Sequence, residues 1–304
     1  MVIRDWSSDV CSSDLLLPGF REVKLYFDRE LWKKMALYAF PLLIFGLAGI
    51  VNETIDRILL RYLLPEETAM HNLGIYGMCF KISVFITIFI QAFRYAAEPF
   101  FFKESNRKDA PETYAMVMHY FIIVCFLMFS GIMLFIDLVR HFVGEAYYEG
   151  LVIVPLLLLG HIFLGIFYNL SAWYKITGLT KYGAWFSLAG AGITILLNFL
   201  LIPVMGFMGS AWANFSCYLI MMLLSYFYGQ KHYPIPYNIR SFLFYLAVSL
   251  ILWGMSTLIP LEAGGWRLMV NGFLFSGFVF IIYRKEAGLR KLLQQALNQR
   301  RSES

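Results

Sequence analysis

The chain has 304 residues, 60% of them hydrophobic and only 15% charged, with a formal net charge of +5 and a mean hydropathy of +0.65. Soluble domains average roughly 45–50% apolar and 25% charged residues, so a water-soluble globular protein is excluded: there is too little polar surface to cover it. Apolar runs of about 20 residues recur, each long enough to cross ~30 Å of hydrocarbon, and their length without strict alternation selects helices over a β-barrel.

Residues 5–15 read DWSSDVCSSDL, with neither the apolar run nor the small-residue cleavage site of a signal peptide. The string is one reading frame of a common short-read sequencing adapter, matched at all eleven positions. Residues 1–15 are therefore set aside, and the native gene is expected to begin upstream. A lead-in over 16–34 precedes eight hydrophobic spans: A over 35–64, B over 75–102, C over 114–136, D over 151–174, E over 182–202, F over 208–228, G over 241–258 and H over 266–283. The connections are short and none can fold as a domain. The expected fold is an all-α, polytopic membrane helix bundle of about eight transmembrane helices.

Cytoplasmic loops retain Lys and Arg. With eight spans, eighteen such residues fall on one side and three, Arg61, Arg140 and Arg267, on the other. Both ends of the bundle are therefore expected on the cytoplasmic side. The tail over 284–304 sets Leu289, Leu292, Leu293 and Leu297 at helical spacing under a basic face, the pattern of an interfacial helix on an anionic leaflet.

Ionisable residues inside lipid-spanning helices cost about 2.5–3.5 kcal/mol or more at the bilayer centre, so they face a bundle interior or a watery cavity. Spans A and B carry nearly all of them. Span A holds Asn52, Glu53, Asp56 and Arg57, where Glu53 and Arg57 are one turn apart and can pair. Span B holds Lys81, Gln91, Arg94 and Glu98, the last three along one face, while Lys81 can snorkel to the headgroups. These residues form the candidate substrate-binding set: Arg94, Arg57, Gln91, Glu98, Glu53, Asp56 and Asn52. The two arginines would offer cationic contacts to an anionic, phosphate-bearing substrate. The bland alternative is that Glu53 with Arg57 and Arg94 with Glu98 are self-neutralised pairs that fix helix packing. Pro41 and Pro99 are candidate bends, and Gly206, Gly209, Ala211 and Ala213 permit close helix contact.

Cys79, Cys125 and Cys217 sit in apolar runs as small hydrophobes, and the five scattered histidines form no ligand pair. No metal site, no cofactor and no enzymatic activity are expected.

The stretch from Asn169, Ser171 and Trp173 through Gly178, Thr180 and Lys181 to Asn198, Pro203, Gly206 and Gly209 resembles the oligosaccharide (polysaccharide) flippases of the multidrug/oligosaccharidyl-lipid/polysaccharide exporter superfamily. Span A with Pro41, Asp56 and Arg57 resembles the helix that opens the family's second six-helix half, and span B with Arg94, Glu98 and Pro99 the helix after it. The resemblance implies that residues 35–228 form the second lobe of such a transporter, with two additional helices over 229–283 and a first lobe missing. It further implies translocation of a polyprenyl-pyrophosphate-linked oligosaccharide across the bacterial inner membrane for polysaccharide (lipopolysaccharide) biosynthesis. Its partners would be the lipid-linked oligosaccharide, membrane lipids and polysaccharide-assembly enzymes, not nucleic acid. Two other readings stay open. One is a multidrug or cation antiporter of the same superfamily, for which Glu53, Asp56 and Glu98 speak; the other is a non-functional truncated membrane protein.

Overall fold

The computed structural model describes residues 28–258 and 265–286; the adapter-like string and the leucines of the tail lie outside them. Helix α1 (Arg29–Leu63) opens on Asp28, whose carboxylate accepts the backbone N–H groups of Glu30 and Leu31 at 2.9 and 3.0 Å, a side-chain cap for donors that a helix start leaves unpaired. The chain divides at Pro41, inside α1, into two compact units. The described part of the first is the capped start of α1; the rest of the description concerns the second.

Helix α2 (Glu66–Glu104) follows Pro65 and carries Glu66 and Glu67 in its first turn, where their charge suits the helix dipole. It begins nine residues before the expected span B, because Glu66–Asn72 are adequate helix formers that carry no apolar signal. Next come α3 (Ala110–Leu134), a short α4 (Ile136–Arg140) and a 3₁₀ segment (Glu145–Ile153). Expected span D becomes two pieces, α5 (Val154–Leu170) and α6 (Ala172–Ile176), broken at Ser171. Helices α7 (Lys181–Met205), α8 (Phe207–His232), α9 (Ile239–Leu258) and α10 (Gly265–Lys285) complete the described chain. Eight stretches are long and apolar enough to cross a membrane, as the hydropathy pattern predicts, with residues 145–176 acting as one of them. No strand occurs among the described residues.

Helix α5 is the centre of the bundle: nearly every one of its residues is buried, His161 among them, between α2, α3 and α8. By contrast α1, α7, α9 and α10 leave large apolar side chains exposed, Ile50, Trp185, Phe199 and Phe273 among them, which is the expected surface where lipid is the solvent.

Helices α7 and α8 form a tight hairpin turned by Gly206, whose φ of 56° lies in the left-handed region open to glycine. The Asn72 side chain sits against this turn and accepts the backbone N–H of Phe207 at 3.0 Å. Helices α9 and α10 dock on α3 through side-chain hydrogen bonds, which hold helices together where lipid removes most of the hydrophobic drive. Ser130 bonds Ser249 at 3.1 Å, Ser256 donates to Asn271 at 2.9 Å, and Asn271 donates to the Leu134 carbonyl at 2.7 Å. Ion pairs close both ends, Arg267 with Asp137 at 3.1 Å and His119 with Glu286 at 3.0 Å.

Candidate functional site

The interior holds two polar centres, and the sequence-derived residues divide between them. The first is built on Asp56, which has no solvent exposure. Its Oδ2 accepts the Tyr76 hydroxyl at 2.7 Å and Asn214 Nδ2 at 3.3 Å, and its Oδ1 accepts Asn198 Nδ2 at 2.7 Å. Asn198 also donates to the Thr194 carbonyl and accepts the Ser210 hydroxyl. Asn52, one turn before Asp56 and equally buried, reaches Met221 Sδ at 3.7 Å. Four helices, α1, α2, α7 and α8, thus converge on one carboxylate through neutral donors, as a buried charge requires.

Arg57 lies beside this centre, with its guanidinium 4.3 Å from the centre of the Phe80 ring. The Glu53–Arg57 pair anticipated from their spacing is not among the ion pairs of the described residues. Stacking on a ring from α2 has taken the guanidinium instead, a contact that costs little desolvation. Glu53 is half-buried on α1, one turn before Arg57.

The second centre lies on α2, α5 and α6. Glu98 receives Lys175 Nζ at 2.7 Å and Arg94 Nε at 3.8 Å. Arg94 lies over the Tyr168 ring, 4.8 Å from its centre, and Lys175 lies 6.0 Å from that of Phe45. The lysine side chain is only 11% exposed. Gln91, half-buried on the same helix, precedes Arg94 by one turn. The i,i+4 pair of Arg94 and Glu98 exists, but Lys175 is the closer cation, so this is a three-membered cluster.

The two arginines are not brought together. Arg57 stacks on Phe80, fourteen residues before Arg94 on α2, which at 1.5 Å per residue is about 21 Å. Each nonetheless presents a buried Nε–H with no hydrogen-bond acceptor among the described residues, and such donors need an explanation.

Sequence reasoning missed Lys175 and Tyr168. Lys175 reads as a loop cation between spans D and E, yet its side chain is packed against Glu98; Tyr168 is one aromatic among many. Tyr76 and Asn214 carry no signal at all. Lys81 is exposed, as expected of a snorkelling side chain, and Cys79, Cys125 and Cys217 are buried free thiols.

Eight apolar helices of this length define a multi-pass membrane protein. The chain is similar to the solved lipid II flippase MurJ in its inward closed conformation, with a TM-score of 0.63 and 15% identity over 90% of this chain. The chain spans 59% of that flippase's length. No family model and no curated protein matches the sequence.

Proposed function

We propose that these eight helices serve as the second lobe and two additional helices of a transporter, not an enzyme, of the multidrug/oligosaccharidyl-lipid/polysaccharide exporter superfamily. The complete protein would move a polyprenyl-pyrophosphate-linked oligosaccharide across the bacterial inner membrane for polysaccharide assembly. Both ends of the bundle would be cytoplasmic and biosynthetic enzymes would be its neighbours. The observation that carries the reading is the half-buried Arg94–Glu98–Lys175 cluster beneath Tyr168, with its unaccepted Arg94 Nε–H. Two cations face one carboxylate here, and arginine grips a phosphate through its fork of donors. Gln91 and Tyr168 add hydrogen-bonding surface for sugar hydroxyls. The flippase-type fold supports the reading without deciding the glycan. Arg57, stacked on Phe80, would meet a different part of the substrate or a different stage of its passage.

The test is complementation of a flippase-deficient strain by the complete gene. Arg94→Ala should abolish glycan export at normal protein levels; undiminished export would reject the assignment.

The Asp56 centre favours a second reading, a cation-coupled antiporter. A membrane-embedded carboxylate served only by neutral donors can bind and release a proton or a monovalent cation as helices move. Uptake of a labelled cationic drug into vesicles, abolished by Asp56→Asn, would favour this reading over the first.

A further inference from the structure

Away from both polar centres, α3, α5, α8 and α9 enclose an apolar cavity of about 290 Å³. Its floor is Met118, Ile122, Ile166, Leu170 and Met222, all buried. Its rim includes Leu223, Phe227 and Ile239, all exposed, so the mouth opens between α8 and α9 toward the surface where lipid chains lie. Among the described residues, the polar side chains on the wall are His119, Tyr226, Tyr237 and Asn238, of which Tyr237 and Asn238 belong to the α8–α9 connection.

We infer that this cavity is a binding site for one acyl chain of an anionic glycerophospholipid, whose headgroup rests on the α8–α9 connection. An apolar cavity of ~150 Å³ already binds benzene and stays dry, so roughly twice that volume accepts a run of methylenes. Met118 and Met222 on the floor are flexible and adapt to an unbranched chain. The volume is too small for a partner helix. The headgroup's charge follows from the helix ends that flank the connection: Lys231 in the last turn of α8 and Arg240 in the first turn of α9 are exposed, and residues 229–240 hold no Asp or Glu. Glu286, which contacts His119 from outside the cavity wall, is already held by His119 at 3.0 Å and by Tyr245 at 2.7 Å, so its charge is matched and does not oppose an anionic lipid. This site depends only on the membrane-spanning fold and not on the transport reading.

The full chain, reconstituted in vesicles of phosphatidylethanolamine and phosphatidylglycerol, tests it. Native mass spectrometry should show phosphatidylglycerol retained on the wild type. Ala115→Phe, which fills the cavity from its wall, should lower retention about tenfold, the equivalent of losing about two buried methylenes. Should that variant misfold, Leu223→Trp at the exposed rim blocks entry without touching the floor and should act in the same direction. Lys231→Ser with Arg240→Ser should weaken phosphatidylglycerol about fivefold per cation removed and leave phosphatidylethanolamine unchanged. Equal retention by wild type and by a well-folded filled or blocked variant overturns the site. So does displacement of the phospholipid by polyprenyl phosphate, which would make the cavity a substrate-tail groove, and so does the absence of any retained phospholipid.

Discussion

Lys175 Nζ stands 2.7 Å from Glu98 Oε1, although the two residues lie 77 positions apart. The pair joins α6 to α2 across the face where Arg94 and Tyr168 meet, so α2 and the broken α5–α6 helix are tied at the centre proposed to hold substrate.

Removing one partner leaves a half-buried charge. Glu98→Gln or Lys175→Met should each lower stability by about 1–3 kcal/mol, between the values for exposed and buried pairs. The double variant should recover much of the loss. Thermal unfolding of the detergent-purified protein measures all three, and additive losses would mean that the two side chains are not coupled.

Asp56 is the most constrained carboxylate of the described chain. Asp56→Leu should cost about 3–5 kcal/mol, since it leaves the donors of Tyr76, Asn198 and Asn214 buried without their acceptor. Tyr76→Phe removes a single donor and should cost about 1–2 kcal/mol. Folded yield and unfolding temperature of the two variants should rank accordingly.

A Cβ placed on Gly209 would lie 2.6 Å from the backbone carbonyl of Leu201, and backbone cannot swing aside as a side chain can. Gly209→Ala should therefore force α7 and α8 apart at a cost of about 1–3 kcal/mol. Gly192→Ala, where nothing lies within 4 Å, should be neutral or slightly stabilising in the same unfolding assay.

Glu286, just past the end of α10, offers a pH readout. Burial alone would raise its pKa, but the Tyr245 hydroxyl and His119 more than offset that and hold the carboxyl below its ordinary value. A depressed carboxylate adds stability above its unfolded-state pKa and loses it as pH falls through the folded value. The stability difference between wild type and Glu286→Gln should be largest at neutral pH and should shrink as the pH falls below the ordinary glutamate value of about 4.3 and on through the lower folded-state value. Unfolding scans of both proteins across that range check the sign.

Much of the polar interior was legible in spans A and B, because charges within apolar runs stand out in one dimension. Asn52, Asp56, Arg57, Arg94 and Glu98 are all found inside or at the edge of the bundle. Their division into two centres was not legible. Spacing along α1 suggests that Arg57 pairs with Glu53, yet Phe80 on a neighbouring helix takes it; spacing along α2 pairs Arg94 with Glu98, yet Lys175 from a different span comes closer. In each case an i,i+4 neighbour competes with a partner from another helix, and only the packing reveals that competitor.

The amino-acid sequence by itself determined that the chain crosses a membrane in eight helical stretches, because transfer into hydrocarbon depends on the composition of each stretch and on little else. It also determined which spans carry the ionisable residues. The tertiary structure alone decided that α5 is the buried centre, that α9 and α10 are fastened to α3, and that Lys175 turns inward. It also decided that Arg57 stacks on Phe80 while Arg94 lies over Tyr168. Those facts rest on contacts between residues far apart in the chain, whose geometry no local pattern encodes.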